Sequence, residues 1–496
     1  MTTESYEPHF LFIPLMTPGH IIPLMDIARL LGERKVAVTM VITPLNATRF
    51  GSIIDRAAKS GLPINFLQLQ FPSTEVGLPK GCESIDKLPS LDLIGKFLTA
   101  QSMLQEPLEQ SLQEMKPLPS CIVTDKNIPW IAVTASKFQI PRILFDGTSC
   151  FTHICSHILH KSKVYEHLSY SEPFVIPGLP DRIEFTKAQL PASFNPGSNK
   201  DLKTFRQTVK ASEAGAFGVL LNSFEELETE YVKAYREATG FKVWCIGPVS
   251  LCNKESLDKA ERGRIPSTDE NQCMEWLDSQ APGSVIYVCF GSLSRIPSLQ
   301  LIEIGKALEA SNRPFIWVLR EGYKKEEMDK WLDEEGYEER IKGRGVLIRG
   351  WAPQVLILSH QSIGGFLTHC GWNSTLEGIC AGIPMITWPL FAEQFYNEKL
   401  IVQVLDIGVG VGTQQVAMQF GEKDNAFGAL VKAEDIEKAI NKLMGGGEEA
   451  EERRKRAKRL AAQAEKAVEH GGSSYLNITF FIEDVVQQAK HNRTKF

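Results

Sequence analysis

Short apolar runs alternate with longer stretches of helical periodicity through the first half of this chain. Four of the runs have the length and composition of buried strands, at residues 10–15, 36–43, 64–69 and 121–124. A Pro-Gly turn follows the first run and leads into an amphipathic helix that extends to Leu31, and residues 91–115 also have a helical pattern. This alternation predicts βαβ units on a mostly parallel sheet.

The same pattern begins again in the second half. Residues 284–290 (SVIYVCF) predict a strongly apolar strand, and a helix is predicted to start near Pro297. Further strands are predicted at residues 314–319, 346–348, 364–367 and 385–388. The segment between the two halves is polar, contains proline and is rich in Lys, Asp and Glu, which is typical of an interdomain linker.

The pattern therefore predicts an α/β protein with two Rossmann-like domains. The N-terminal domain covers residues 1–246, the linker 247–283, the C-terminal domain 284–474 and a tail 475–496. The length of 496 residues agrees with this division, because single cores rarely grow beyond about 250–300 residues.

Composition and charge narrow the classes of function. Apolar residues make up 43% of the chain and charged residues 23%, as in ordinary globular proteins. The net charge of -6 argues against sequence-independent binding to nucleic acid, which requires clustered Lys and Arg. The ten cysteines are scattered without a CxxC pair, so we expect reduced thiols and a cytoplasmic location.

One apolar stretch near the N-terminus has the length of a membrane span but not its composition. Residues 9–31 are interrupted by three prolines and three polar or charged residues: Pro14, Pro18, Pro23, His20, Asp26 and Arg29. A secretory signal would begin with a basic segment, whereas this N-terminus carries Glu4 and Glu7. We therefore expect neither a membrane span nor a secretory signal.

Residues 351–394 combine glycines, a helix start and polar side chains in a way that suits a phosphorylated ligand. The helix is predicted to begin near Asn373-Ser374, where free N–H groups attract phosphate oxygens. His369 stands just before that start and is suited to donate to the same phosphates. Trp351 offers a flat face on which a base is able to stack.

Three more side chains of this segment are suited to sugar hydroxyls, although one has a simpler explanation. Glu377 is able to accept hydrogen bonds from a diol, and Glu393 and Gln394 are able to do the same for a second sugar. Ser374 and Glu377 also fit a capping box, in which both merely satisfy the helix start. Taken residue by residue, the capping explanation is favoured.

Taken as a whole, residues 351–394 resemble the nucleotide-sugar box of the plant secondary-product glycosyltransferases, a UDP-dependent family of two-domain enzymes. They match it almost throughout, from Trp-Ala-Pro-Gln to the closing Glu-Gln. The similarity extends to the N-terminal Pro-Gly-His and to Phe-Gly-Ser at 290–292, and is closest to the branch that acts on flavonoids, triterpenoids and steroid-like acceptors. It implies a GT-B type fold, in which two Rossmann-like domains face each other across a cleft and the tail returns to the N-terminal domain.

The resemblance implies a role for each matching position. Trp351 would stack on uracil, the backbone at Ala352 would read its edge, and Gln354 and Glu377 would hold the ribose. The other positions are implied to bind the diphosphate (Ser292, His369, Asn373 and Ser374) or the transferred sugar (Trp372, Glu393 and Gln394). A terminal Gln is associated with glucose in this family and a His with galactose, so Gln394 implies UDP-glucose as the co-substrate.

A second candidate site joins His20 to Asp125. His20 opens a helix, and Asp125 follows a strand, at the carboxyl end where ligands gather in open α/β sheets. The helix start opposes protonation of the imidazole, and a neutral imidazole is suited to deprotonate an alcohol. Once the ring has taken the proton, a carboxylate on its other nitrogen stabilises the imidazolium. From the residues alone, a turn histidine and an ordinary strand-end Asp are the favoured alternative. The resemblance implies that His20 is the general base and Asp125 its partner.

The acceptor pocket is assigned to positions where this chain departs from the family and to a nearby helix: Thr17, Asp146, His153 and Cys155. The family often has Gln before Gly-His, where this chain has Pro18. It also often has His at the position of Asp146, and we interpret Asp146 as a cap of the following helix. A group of side chains on that helix fits no zinc pattern, so we expect no metal site there: Cys150, His153, Cys155, His157 and His160.

These features predict an inverting UDP-glucose-dependent O-glucosyltransferase that acts on a hydroxyl of a small lipophilic acceptor, such as a flavonoid, another phenolic or a triterpenoid. We expect a monomer that uses no metal or other cofactor, since the sequence has no Asp-x-Asp diphosphate–metal motif. The alternatives are the same reaction with another UDP-sugar and a non-catalytic protein that binds lipophilic small molecules. A dinucleotide-dependent oxidoreductase would need a G-x-G-x-x-G between a strand and a helix, which is lacking.

Overall fold

The computed structural model describes residues 7–194, 200–263, 270–320, 325–417 and 428–493. Residues 264–269, a part of the predicted linker, lie outside this description. The strands are, in chain order, β1 (His9–Ile13), β2 (Ala37–Ile42), β3 (Ile64–Gln68), β4 (Cys121–Asp125), β5 (Arg142–Asp146), β6 (Pro173–Val175), β7 (Glu184–Thr186), β8 (Gly218–Leu221), β9 (Lys242–Cys245), β10 (Val285–Cys289), β11 (Phe315–Leu319), β12 (Gly345–Arg349), β13 (Ile363–Thr368), β14 (Met385–Thr387) and β15 (Gly408–Gly410).

The α-helices lie between and after these strands. They are α1 (Pro18–Gly32), α2 (Pro44–Arg49), α3 (Gly51–Lys59), α4 (Ile94–Ser102), α5 (Gln105–Glu114), α6 (Ile131–Lys137), α7 (Cys150–Ser162), α8 (Lys200–Ser212), α9 (Thr229–Thr239), α10 (Ser256–Ala260), α11 (Glu270–Asp278), α12 (Ser298–Ala310), α13 (Lys325–Asp329), α14 (Tyr337–Ile341), α15 (Gln354–Leu358), α16 (Trp372–Cys380), α17 (Gln394–Lys399), α18 (Ala433–Met444), α19 (Glu448–Val468) and α20 (Ser473–Arg493). None of the helices in the described ranges is long and apolar enough to cross a membrane.

The chain divides into two compact units. Unit 1 is formed from Met1–Thr148, Ser198–Asn253 and Lys466–Phe496, and unit 2 from Ser149–Gly197 and Lys254–Glu465. Residues 149–197 thus cluster with unit 2, although the alternating pattern grouped them with the N-terminal half. The helix α20 belongs to unit 1, where Phe481 packs against Phe10 at 5.4 Å between ring centroids.

Unit 1 is built on a seven-stranded parallel sheet with the order β3-β2-β1-β4-β5-β8-β9. The central strands β1 and β4 are almost wholly buried, as their continuous apolar runs require in a sheet covered on both faces. The strand order reverses direction between β1 and β4, whose residues Ile13 and Thr124 lie opposite each other. Crevices at such switch points are the usual ligand sites of open α/β sheets.

Unit 2 repeats this arrangement with a six-stranded parallel sheet in the order β12-β11-β10-β13-β14-β15. The switch point falls between β10 and β13, where Cys289 lies opposite Thr368. The segment 290–292 and the segment that contains His369 therefore leave neighbouring strands at the same edge. The short hairpin of β6 and β7 also belongs to this unit.

Candidate active site

The switch point of unit 1 brings His20 and Asp125 into direct contact. His20 is the third residue of α1, whose first residue is Pro18, and Asp125 is the last residue of β4. The Nδ1 atom of His20 is hydrogen-bonded to Oδ2 of Asp125. The Asp125 side chain is 1% exposed and that of His20 is 27% exposed, so the carboxylate is enclosed while the ring keeps an accessible part.

A third residue fixes the orientation of the Asp125 carboxylate. Its other oxygen, Oδ1, accepts hydrogen bonds from the backbone N–H of Asn127 at 2.9 Å and from the Asn127 side chain at 3.0 Å. With Oδ1 engaged in this way, Oδ2 remains for His20. A proton on Nδ1 directed at the carboxylate leaves Nε2 as the proton acceptor, which is the tautomer that a general base requires.

Asp146, predicted to cap a helix, instead forms an ion pair. Its carboxylate contacts the Lys126 ammonium group, and the N-cap of α7 is Ser149, whose hydroxyl accepts from Thr152 N at 3.1 Å. Burial would lower the pKa of Lys126, but the charge and hydrogen bond of Asp146 outweigh it and the pKa is raised. The capping role was wrong because the N-cap position lies three residues after Asp146, at Ser149.

The remaining acceptor-pocket candidates have different environments. Thr17 is the N-cap of α1, and its buried hydroxyl has no hydrogen-bond partner among the residues that the structure describes. On α7, His153 is half-buried and Cys155 is fully buried. Both belong to unit 2 rather than to the unit that holds Thr17. Their assignment to an acceptor pocket stays a prediction.

In unit 2, the two residues expected to hold a ribose form one network. Gln354 Nε2 donates to Glu377 Oε2 at 2.6 Å and to Ser374 Oγ at 3.0 Å. The other oxygen of Glu377 is paired with Arg262, and the two side chains are 6% and 8% exposed. A carboxylate has about four lone-pair positions, so these contacts leave capacity for hydroxyl donors.

The capping-box explanation of Ser374 and Glu377 is wrong. The helix α16 begins at Trp372 with Gly371 as its N-cap, so Ser374 is already the third helical residue. No side chain caps this helix, and the first N–H groups of a helix have no partner within it. This helix start is therefore suited to an anion, and Ser374 and Glu377 are available for the network with Gln354.

His369 occupies a narrow space between two glycines. A Cβ atom on Gly291 would lie 2.5 Å from the ring atom Cε1, and one on Gly371 would lie 2.4 Å from Nε2. Because real contacts of Cβ atoms are essentially never shorter than 3.0 Å, the close approach of the two segments requires glycine at both positions. Burial lowers the pKa of His369 to about 4, so the ring is neutral at pH 7.

The aromatic and sugar-end residues flank this network. Trp351 and Ala352 lie between β12 and α15, with Trp351 half-buried and Ala352 at the border of full burial. Trp372 is buried. Gln394 is also buried, and its side-chain oxygen accepts from the backbone N–H groups of Leu390 at 2.8 Å and Phe391 at 3.1 Å. A sugar at this end would therefore meet Gln394 as a donor, not as the predicted acceptor.

Comparison with known proteins decides the family. A family model described as UDP-glucoronosyl and UDP-glucosyl transferase matches residues 265–444. UDP-glycosyltransferase 73C11 of Barbarea vulgaris is 50% identical to this chain over 495 residues, with 99% of each chain covered. UDP-glycosyltransferase 73C3 of Arabidopsis thaliana is 51% identical over 492 residues, with 98% of each covered. The chain belongs to the plant UDP-glycosyltransferases.

Solved structures of plant UDP-glycosyltransferases have the same fold. The crystal structure of Glycyrrhiza uralensis UGT73P12 complexed with glycyrrhetinic acid 3-O-monoglucuronide has a TM-score of 0.91 at 39% identity, over 99% of this chain and 98% of that one. That of Arabidopsis thaliana UGT89C1 complexed with UDP-L-rhamnose has a TM-score of 0.75 at 29% identity, over 97% and 100%. The α/β fold class, the family and the enzyme class predicted from the sequence are confirmed, and the oxidoreductase alternative is excluded.

Several residues of this UDP-glycosyltransferase site were not found from the sequence. Asn127 orients Asp125, Lys126 pairs with Asp146, and Arg262 pairs with Glu377. Asn127 and Lys126 directly follow the proposed catalytic Asp, and this proximity was an available signal. Arg262 lies in the polar segment interpreted as a linker, where many other residues are also charged, so nothing in the sequence distinguished it.

Proposed function

We propose that this UDP-glycosyltransferase transfers glucose from UDP-glucose to a hydroxyl group of a lipophilic acceptor, with inversion at the anomeric carbon and His20 as the general base. The observation that carries the proposal is the contact between His20 Nδ1 and an enclosed Asp125 carboxylate that Asn127 holds in place. The arrangement supplies a neutral ring nitrogen as a base and a fixed anion to stabilise the imidazolium.

The proposed reaction is a single displacement. Nε2 of His20 takes the proton of the acceptor hydroxyl as its oxygen attacks the anomeric carbon, and the bond from that carbon to the UDP oxygen breaks on the opposite face. An α-linked donor would thus give a β-glucoside. The negative charge that develops on the diphosphate would meet the N-terminus of α16, Ser292 and the neutral ring of His369, which all act as hydrogen-bond donors.

The donor sugar and the acceptor rest on separate arguments. Gln394 supports glucose, while the UDP-L-rhamnose complex of UGT89C1 keeps another UDP-sugar as the alternative. The triterpenoid glucuronide bound to UGT73P12, the more similar of the two solved relatives, favours a triterpenoid acceptor over a flavonoid or another phenolic. The non-catalytic binder that the sequence left open is no longer favoured, because the chain belongs to a family of enzymes.

The proposal includes the absence of a metal requirement, since the diphosphate would be bound by N–H and O–H donors alone. Activity should therefore survive treatment with EDTA, and a loss that Mg²⁺ restores would contradict this part. We also propose a monomer, to be checked by light scattering after size exclusion. A cytoplasmic location, proposed from the scattered cysteines, is to be checked by imaging a fluorescent fusion.

The reaction is tested with purified protein, UDP-glucose and a panel of triterpenoid, flavonoid and simple phenolic acceptors. Acceptor-dependent release of UDP together with a hexose mass gain is the expected result. Turnover only with UDP-galactose, UDP-xylose, UDP-rhamnose or UDP-glucuronate would overturn the assignment of glucose. Binding of an acceptor without consumption of any UDP-sugar would contradict the proposed reaction.

The base is tested with His20→Ala and Asp125→Asn. General base catalysis contributes roughly 100- to 10,000-fold, and we expect kcat to fall by that factor in both variants, because an amide at 125 no longer stabilises the imidazolium. The control His470→Ala removes an exposed histidine of the same unit and should retain activity. All three should bind UDP normally, since the donor residues are in unit 2. Near-normal turnover of folded His20→Ala would disprove the base.

A further inference from the structure

The turn between β13 and α16 contains a residue in an unfavourable backbone conformation. Cys370 has a φ of 63°, in the left-handed region, although it carries a Cβ atom. Residues other than glycine, Asn or Asp rarely adopt this conformation, and it persists only where the surroundings impose it. Cys370 is fully buried, so the constraint must come from neighbouring protein groups.

The side chain of Asn397 contacts this turn. Asn397 lies in α17 and is fully buried, and its Nδ2 atom donates to the carbonyl oxygen of Cys370 at 2.8 Å. Thr152 of α7 donates its hydroxyl to Oδ1 of Asn397 at 3.3 Å, which fixes which end of the carboxamide faces the turn. On the other side of the turn, Cys370 N donates to Thr368 Oγ1 at 3.3 Å.

The backbone of Cys370 sets the positions of two groups proposed to meet the diphosphate. His369 precedes it, and Gly371, the N-cap of α16, follows it. A rotation at Cys370 would move the imidazole relative to the helix start, so that both no longer face the same ligand. Asn397 also lies one turn after Gln394 in α17, and it thus connects the sugar end of the site to the diphosphate end.

We propose that Asn397 is a positioning residue for donor binding, which holds Cys370 in the left-handed conformation and so aligns His369 with the N-terminus of α16. This inference rests on the proposed donor site and extends it to a residue that would not touch the ligand. A simpler role would be to satisfy a buried carbonyl group, as nearly all buried carbonyls require. The two roles differ in how they respond to glycine at position 370.

The test measures the Kd of UDP by calorimetry for Asn397→Ala, Cys370→Gly and the double variant. Asn397→Ala should weaken UDP binding by roughly 5- to 30-fold, which corresponds to about 1–2 kcal/mol at 1.4 kcal/mol per tenfold. Cys370→Gly should bind UDP at least as tightly as the wild type, because glycine adopts a positive φ without strain. The double variant should recover most of the loss, since the turn no longer needs Asn397 to hold it.

Two further variants separate the explanations. Thr152→Val keeps the side-chain volume and removes the partner of Asn397 Oδ1, so it should weaken UDP binding in the same direction but less. Should Asn397→Ala fail to fold, Asn397→Asp keeps the shape, lacks the N–H donors and carries the same expectation. Wild-type affinity in the position-397 variant, or no recovery by Cys370→Gly, would overturn the proposal and leave Asn397 as a partner for a buried carbonyl. If the proposed base is wrong, His20→Ala will keep near-normal turnover. That result would leave the UDP affinities of the variants at positions 397 and 370 unchanged, so the two failures can be told apart.

Discussion

A methyl group added at Gly291 tests whether His369 contributes to UDP binding from its observed position. The Cβ atom of Gly291→Ala would lie 2.5 Å from Cε1 and 2.6 Å from Nε2 of the His369 ring. Because Gly371 confines the ring from another side, the imidazole cannot stay in place. The substitution also puts alanine at a φ of 72°, in the left-handed region. It therefore combines backbone strain with displacement of the ring.

Gly343→Ala separates these two effects. Gly343 has a φ of 77°, and nothing lies within 4 Å of a Cβ atom placed there. Both variants should lose about 1–2 kcal/mol of stability through backbone strain, but only Gly291→Ala displaces His369. Loss of a hydrogen bond to a charged group amounts to about 1.5–3 kcal/mol, which is roughly 10- to 150-fold in the Kd of UDP.

Calorimetric titration with UDP and thermal unfolding are the required measurements. We expect Gly343→Ala to lower the melting temperature through strain alone and Gly291→Ala to lower it further, because it also displaces the ring. UDP binding should weaken only in Gly291→Ala. In a His369→Ala background, Gly291→Ala should add no further loss, because the new methyl group no longer meets a ring, and effects at contacting residues are not additive. Equal UDP affinity in Gly291→Ala and Gly343→Ala would refute the role of His369.

Two further predictions concern carboxylates of unit 2, the buried Glu377 and the half-buried Glu398. Arg262→Met leaves the Glu377 carboxylate without its cation, which should cost about 3–5 kcal/mol of folding stability, or roughly 6–20 °C in melting temperature. Adding Glu377→Gln should restore most of this stability. A wild-type melting temperature for Arg262→Met would disprove the importance of the pair. Burial raises the pKa of Glu398 from 4.5 to about 7, although Thr387 and Lys399 oppose this. Between these two pKa values the folded protein keeps a proton on Glu398 that the unfolded chain has released. The free energy of unfolding therefore falls, by at most about 3 kcal/mol, as the pH rises from 4.5 through 7. Glu398→Gln should gain melting temperature relative to the wild type between pH 5 and pH 8, whereas parallel curves would contradict the raised pKa.

The predicted strands were accurate where an apolar run is long. The run at residues 10–15 became β1 and that at 284–290 became β10, because central strands of a parallel sheet are buried on both faces. The strand β5 was not predicted, since charged Arg142 and Asp146 enclose only three apolar residues. The predicted helix at 91–115 is divided into α4 and α5, and Pro107 lies in the first turn of α5, where proline is tolerated.

The candidate site was predictable only where its residues are contiguous. The proposed donor-site residues, apart from Ser292, lie within residues 351–394, so their pattern was visible at once. His20 and Asp125 are brought together by the adjacency of β1 and β4, and without the family resemblance neither residue had a decisive signal. Arg262 and Asn397 belong to no motif that was considered, and their roles depend on contacts 115 and 27 residues away along the chain.

Each unit places a histidine at the switch point of its sheet, and the two environments give the rings opposite chemistry. His20 follows the first strand of one switch point and is bound to a carboxylate, so a proton gained at Nε2 is stabilised. His369 follows the second strand of the other switch point, and desolvation alone lowers its pKa to about 4. A ring with so low a pKa is a poor base near neutral pH, but it remains a hydrogen-bond donor. The difference in environment therefore supports the proposed roles, in which His20 removes the proton and His369 binds the leaving diphosphate.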